Sequence, residues 1–128
     1  MLGAGAMGCL FATALHRSDC ATTLLLRASD GRETVQVVVE RHGRSTTIEL
    51  PAASVAARGP ISHLLVTTKA YDVRAAVSAV AHRLDRHSQV LLLANGLGFA
   101  EEVRADLPEP DFYSGTTTEG AYRIADYH

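Results

Sequence analysis

Apolar residues in this chain follow two rhythms, and the alternation between them outlines a fold. In residues 5–17 the apolar positions Leu10, Phe11, Ala14 and Leu15 recur at three- to four-residue spacing, the period that gathers side chains on one stripe of a helix. Residues 21–26 are a compact apolar run that stops at Arg27, the profile of a strand buried on both faces. Residues 35–40 and 46–50 are β-branched runs on either side of Arg41-His42-Gly43-Arg44, which predicts a hairpin. Another buried strand is expected at 64–68. Asp72 then reads as a helix N-cap, followed by Val73, Ala76, Val77, Val80, Ala81 and Leu84 on one face. A strand at 89–94, a short helix at 101–107 and a last strand at 112–116 complete the series. Residues 122–128 show no pattern.

Strands that alternate with helices imply a parallel sheet covered on both faces. The expected architecture is therefore a doubly wound, three-layer α/β/α domain carrying a small β-hairpin. Its 128 residues are enough for one domain and one core. Such a sheet ordinarily opens with a buried strand before its first glycine, whereas only Met1 and Leu2 precede Gly3. The first strand is thus expected to be clipped, and the chain to be a fragment.

Composition narrows the function classes. A formal charge of −2 gives no basic footprint for nucleic acid or an anionic membrane. No apolar run approaches the ~20 residues of a membrane span, and the start lacks the basic leader of a signal peptide. Cys9 and Cys20 form no CxxC pair, so reduced thiols in a cytoplasmic protein are expected. The six histidines are scattered without HxH or HxxxH spacing, so no metal site is expected.

Gly3-Ala4-Gly5-Ala6-Met7-Gly8 matches GxGxxG and leads directly into the first predicted helix. In a Rossmann-like domain the first glycine permits the tight strand-to-helix turn. The second keeps side-chain atoms away from a pyrophosphate, and the third lets helix and sheet pack closely. Free N–H groups and the helix dipole would then hold phosphate. A glycine-rich turn without a ligand produces the same string, but its place at the head of a helix favours a dinucleotide site. Arg27 stands nineteen residues after Gly8, near the ~20 expected of the residue that reads the ribose. A guanidinium there suits a 2′-phosphate, with Arg32 near enough to assist, and points to NADP(H). Asp30 could instead face the ribose and favour NAD, and Arg27 could be a solvated charge at a strand end.

Lys69, the only lysine among twelve cations, follows the predicted strand 64–68, and Asn95-Gly96-Leu97-Gly98 follows the strand 89–94. Residues at the carboxyl ends of strands in an open α/β sheet face the ligand crevice. Lys69 and Asn95 are thus a candidate pair lining one cleft beside cofactor and substrate, although an Asn-Gly turn needs no ligand to explain it.

These segments, together with Leu25-Leu26-Arg27, Val66-Thr67-Thr68-Lys69-Ala70 and Gly115-Thr116-Thr117-Thr118, resemble the N-terminal NADP-binding domain of the ketopantoate reductases (2-dehydropantoate 2-reductases) over nearly the whole chain. The resemblance implies NADPH-dependent reduction of ketopantoate to pantoate, on the way to pantothenate and coenzyme A. It implies that Gly3, Ala4, Gly5, Ala6, Met7 and Gly8 hold the pyrophosphate and Arg27 the 2′-phosphate. Lys69 and Asn95 would line the cleft, and Ala121 would touch the cofactor through its backbone. It places the proton-donating lysine and most substrate contacts in a helical C-terminal domain absent from this chain. No catalytic acid is therefore assigned here; Tyr71, Tyr113 and Tyr122 are conceivable and unsupported, and Glu101 and Glu102 suit a helix N-terminus. A small 2-oxo acid is the expected substrate, and a second copy or the C-terminal domain the expected protein partner. Two other readings stay open: a stand-alone dinucleotide-sensing module that regulates a partner, and an inactive fragment.

Overall fold

A computed structural model describes residues 1–27, 31–96 and 98–127 of the chain. Its elements run α1 (Ala6–Arg17), β1 (Leu24–Leu26), β2 (Thr34–Arg41), β3 (Arg44–Ser54), β4 (His63–Val66), α2 (Ala70–Val80), a 3-10 turn (Ala81–Arg83), β5 (Gln89–Leu93), α3 (Phe99–Asp106) and β6 (Asp111–Gly115).

Two three-stranded groups, β1-β3-β2 and β4-β5-β6, stand side by side, and Leu2 joins them. Leu2 forms isolated parallel bridges to both Leu25 and Val66. Its N–H donates to the Leu65 carbonyl at 2.8 Å, its carbonyl accepts from Thr67 N–H at 2.9 Å, and Leu25 N–H donates to the Met1 carbonyl at 2.8 Å. Met1 and Leu2 therefore take the central position of the sheet without forming a strand of their own. Every pairing is parallel except β2 with β3.

The period-2 alternation of strands sorts the side chains into two cores. Leu2, Leu25, Leu64, Val66, Val90 and Leu92 point to the face covered by α2 and α3, where Val73, Ala76, Val77, Val80, Ala100 and Val103 meet them. Met1, Leu24 and Leu26 point to the other face, where Cys9 and Ala12 of α1 pack with Val35, Val37 and Leu50 of the hairpin. Helices on opposite faces of a largely parallel sheet make the expected three-layer, Rossmann-like arrangement. Each fully buried Leu or Val contributes on the order of 1.5–3 kcal/mol.

The hairpin is tighter than the sequence pattern suggests. Arg41 pairs with Arg44, leaving a two-residue turn in which His42 and Gly43 both have positive φ, 51° and 72°. That turn matches the right-handed twist of the flanking strands. Strand β3 is also longer than expected, because it pairs antiparallel with β2 and then parallel with β1.

Asp72 is not the N-cap of its helix. Strand β4 exits into an extended Lys69 (ψ 151°), which caps α2 two residues after Thr67 and places Asp72 in the first turn. An acid one turn in still meets the positive end of the helix dipole. The predicted continuation to Leu84 is broken by the 3-10 turn, although Leu84 remains buried. Helix α3 begins at Phe99, ahead of Glu101, because Gly98 takes φ 91° at the N-cap. Among the described residues no helix is long and apolar enough to cross a membrane.

Candidate functional site

The glycine turn, the carboxyl ends of β1, β4 and β5, and the segment after β6 surround one cleft of about 1140 Å³. Three close contacts fix the shape of the turn. The buried Thr67 hydroxyl donates to the Gly3 carbonyl at 2.8 Å and lies 3.3 Å from the Leu2 carbonyl. Gly3 has φ +102°, and a Cβ there would stand 2.9 Å from Thr68 atoms. A Cβ on Gly8 would stand 1.9 Å from the Gly3 carbonyl oxygen. Gly3 and Gly8 are thus required by packing within the chain itself.

Gly5 differs from both. Its φ of −83° suits any L-residue, and a Cβ there would meet nothing within 4 Å. It caps α1, which has no side-chain cap and no acid in its first turn, so the opening N–H groups of the helix lack side-chain acceptors. Ala6 and Met7, the first helical residues, line the cleft. A bare helix N-terminus with open space in front of its capping glycine fits an anionic group placed against the backbone.

The structure brings nine of the ten predicted nucleotide-site residues to the cleft wall: Gly3, Ala4, Gly5, Ala6, Met7, Arg27, Lys69, Asn95 and Ala121. Gly8 is buried behind the turn. Arg32 is described and exposed, outside the cleft wall. Asp30, the residue considered for the ribose, and Leu97 of the Asn-Gly-Leu-Gly turn lie outside the described residues, as does His128.

Arg27 follows β1 on the cleft wall. Its guanidinium lies 3.7 Å from the Asp72 carboxylate, the two side chains being 72% and 39% exposed. Val55, Ala75 and Ala79 line the same cleft; Asp72, Ala75 and Ala79 share one face of α2 at three- and four-residue spacing, so small side chains leave a shallow apolar shelf. Lys69 and Asn95 are brought together by a close approach of their loops: a Cβ on Gly96 would lie 3.3 Å from the Ala70 Cβ. Lys69 is exposed and lines the cleft. The Thr68 hydroxyl oxygen is buried with no protein partner.

Sequence reasoning missed two features. One is Thr67, whose hydroxyl pins the glycine turn; a threonine ending an apolar strand was its only signal. The other is most of the segment after β6: beside the expected Ala121 and the considered Tyr122, it supplies Thr117, Glu119, Arg123, Asp126 and Tyr127 to the cleft. It is tied down by the ion pair of Arg41 with Glu119 at 3.2 Å and by Val38 N–H donating to the Tyr127 carbonyl at 2.9 Å. Cys9 lies under the turn, its thiol 3.7 Å from the Ala4 carbonyl, and burial pushes its pKa up. It is a packing residue rather than a nucleophile. No cluster of metal-ligating side chains occurs among the described residues.

A family model described as ketopantoate reductase, PanE/ApbA, matches residues 1–128. The chain belongs to that family. A 2-dehydropantoate 2-reductase of Yersinia pestis is 34% identical over 126 residues, covering 96% of this chain and 40% of that protein. The chain thus spans about 40% of the length of the curated ketopantoate reductases it matches. Among solved structures, D-mandelate dehydrogenase in a ternary structure with NADH and anilino(oxo)acetate superposes with a TM-score of 0.83 at 22% identity, over 98% of this chain and 42% of that one. Dimeric ketopantoate reductase from Staphylococcus aureus superposes with a TM-score of 0.74 at 17% identity, over 97% and 44%. At such identities the structural likeness speaks for the fold, and the family membership rests on the sequence match.

Proposed function

We propose that this chain is the NADP(H)-binding part of an enzyme that reduces 2-dehydropantoate to pantoate. The observation that carries the reading is Gly5, a glycine with an ordinary negative φ and no neighbour a Cβ would meet, at the uncapped N-terminus of α1 and open to the cleft. Its lack of a side chain is accounted for by a pyrophosphate resting on the amides of residues 5–7.

Each end of the cleft then has a task. The Val55, Ala75 and Ala79 shelf takes the adenine, and Arg27 takes the 2′-phosphate by charge-assisted hydrogen bonds. Lys69 and Asn95 stand where the reacting end of the cofactor and the 2-oxo acid would meet. The ammonium of Lys69 offsets the substrate carboxylate, and the Asn95 amide offers both a donor and an acceptor. Bound NADPH supplies the hydride. With the hydride added to the keto carbon, the alkoxide left on its oxygen would need a proton from a nearby acid, and no side chain at the cleft is placed in that role. We assign it to a helical C-terminal domain of the whole enzyme, which would also close the cleft against water.

The test is a titration of the chain with NADPH and NADH, followed by nicotinamide fluorescence, in the native sequence and in Arg27→Ala. Losing charge-assisted contacts of ~1.5–3 kcal/mol should weaken NADPH by roughly tenfold or more and leave NADH within about twofold. Equal weakening of both cofactors would remove Arg27 from the 2′-phosphate site. Saturation by neither, in a chain shown to be folded, would overturn the cofactor assignment.

A further inference from the structure

We infer that Asp72 is a specificity-determining residue that opposes Arg27 and narrows the discrimination between NADP(H) and NAD(H). The inference rests on the nucleotide reading above and concerns which form of the nucleotide the site takes.

Arg27 and Asp72 come from different layers. Arg27 follows β1 at the carboxyl edge of the sheet, and Asp72 lies in the first turn of α2. Both line the cleft, with 3.7 Å between guanidinium and carboxylate. Arg27 is the more exposed of the two, so its free donors face the opening, while Asp72 is held more closely against the wall. A 2′-phosphate that docks on Arg27 therefore comes within several ångströms of a fixed negative charge and must compete with it for the same guanidinium. A ribose with a free 2′-hydroxyl meets no such opposition and can donate a hydrogen bond to the carboxylate. Asp72 thus penalises the phosphorylated ribose selectively.

Arg27 is the cation that Asp72 meets directly; along its own element the neighbouring charges are Lys69, the cap of α2, and Arg74, which pairs with Asp106. A helix-dipole role would explain an acid in this turn equally well. It would not place the acid's charge on the one arginine that reads the ribose, nor make its removal act on one nucleotide and not the other.

The experiment titrates NADPH and NADH into the chain carrying Asp72→Asn, with Asp72→Glu and Arg27→Ala alongside, and follows urea unfolding of each. One unit charge near a phosphate in a solvent-exposed site acts weakly. Asp72→Asn should therefore raise the NADPH-to-NADH affinity ratio about three- to tenfold, and the gain should shrink as salt increases. Asp72→Glu, which keeps the charge, should return the ratio toward the native value. Loss of a purely structural acid would lower the unfolding midpoint while moving both affinities together. A ratio that stays the same or falls in Asp72→Asn overturns the role of Asp72 while leaving the cofactor assignment standing. Failure of the native chain to saturate with either nucleotide overturns both.

Discussion

Alanine placed at Gly5 and at Gly8 should separate a glycine that serves a ligand from one that serves the fold. At Gly8 the new Cβ would lie 1.9 Å from the Gly3 carbonyl oxygen and 2.9 Å from the Thr67 hydroxyl. Real Cβ atoms essentially never come closer than 3.0 Å, so α1 must back away from the turn by about 1.1 Å. The obstacle is backbone, which cannot rotate aside, and the retreat would also break the Thr67 contact and open the core around Cys9 and Ala12. A cost of ~3 kcal/mol or more is expected, at the upper end for overpacking and a large share of a total stability of ~5–15 kcal/mol. At Gly5 two small terms oppose each other. The less flexible unfolded chain favours alanine by ~0.4–1 kcal/mol, while alanine is a poorer N-cap than glycine by a similar amount. The net change should be within about 1 kcal/mol. Urea denaturation, at a slope of roughly 1–3 kcal/mol per molar, should thus show a midpoint lowered by about 1 M or more for Gly8→Ala and nearly unmoved for Gly5→Ala. NADPH titration should show the reverse emphasis, with Gly5→Ala weakened by roughly tenfold or more because its methyl group occupies the phosphate position. Gly5→Ala unfolding as readily as Gly8→Ala, or binding NADPH like the native chain, would refute the reasoning.

Thr67→Val keeps the shape of the side chain but removes the donor to the Gly3 carbonyl, and should cost ~1–2 kcal/mol in urea unfolding while also weakening NADPH. Thiol labelling with a disulfide reagent should modify the exposed Cys20 quickly and the buried Cys9 only as the chain opens; equal rates in the folded chain would contradict the packing of α1. The hydrogen bond from Arg74 holds the Asp106 carboxyl below the usual aspartate range. A depressed carboxyl contributes stability above its unfolded pKa and loses it as pH falls through the folded value. Arg74→Ala should therefore move the Asp106 titration, read by NMR, upward toward the ordinary aspartate range, with little effect at neutral pH for so exposed a pair.

Much of the layered plan could be read from the sequence because burial imposes periodicity. The runs ending at Leu26, Val66 and Leu93 are apolar on both faces, and α2 repeats its apolar residues at helical spacing, so their class was plain. Element ends were less plain, since they depend on backbone geometry rather than on pattern. Nothing in residues 69–72 alone distinguishes Lys69 from Asp72 as the cap, and the extended exit from β4 decides it. The double role of β3, paired to β2 on one edge and β1 on the other, is a long-range register with no local signature. The cleft residues Gly3 to Met7, Arg27, Lys69 and Asn95 could be found because motif spacing places them at strand ends. In the segment from Thr117 to Tyr127 only Ala121 is expected at the cofactor, and only through the family resemblance, because exposed polar side chains and the backbone hydrogen bond of Tyr127 leave no period in the sequence.

Leu2 holds the sheet together at one point. To its left lie β1, β3 and β2, to its right β4, β5 and β6, and the main-chain bonds of Met1 and Leu2 form the seam between them. The same two residues lead straight into the glycine turn, so a fluctuation that parts the seam also dismantles the phosphate platform. A nucleotide spanning the cleft from Arg27 to Asn95 would touch both halves at once and act as a cross-brace. Under the proposed function its binding energy would then be spent on the cohesion of the scaffold as well as on recognition, about 2.7 kcal/mol at a hundred times its dissociation constant. In such a design the cofactor is a structural member of the domain that receives it, and occupancy governs how long the two halves stay joined.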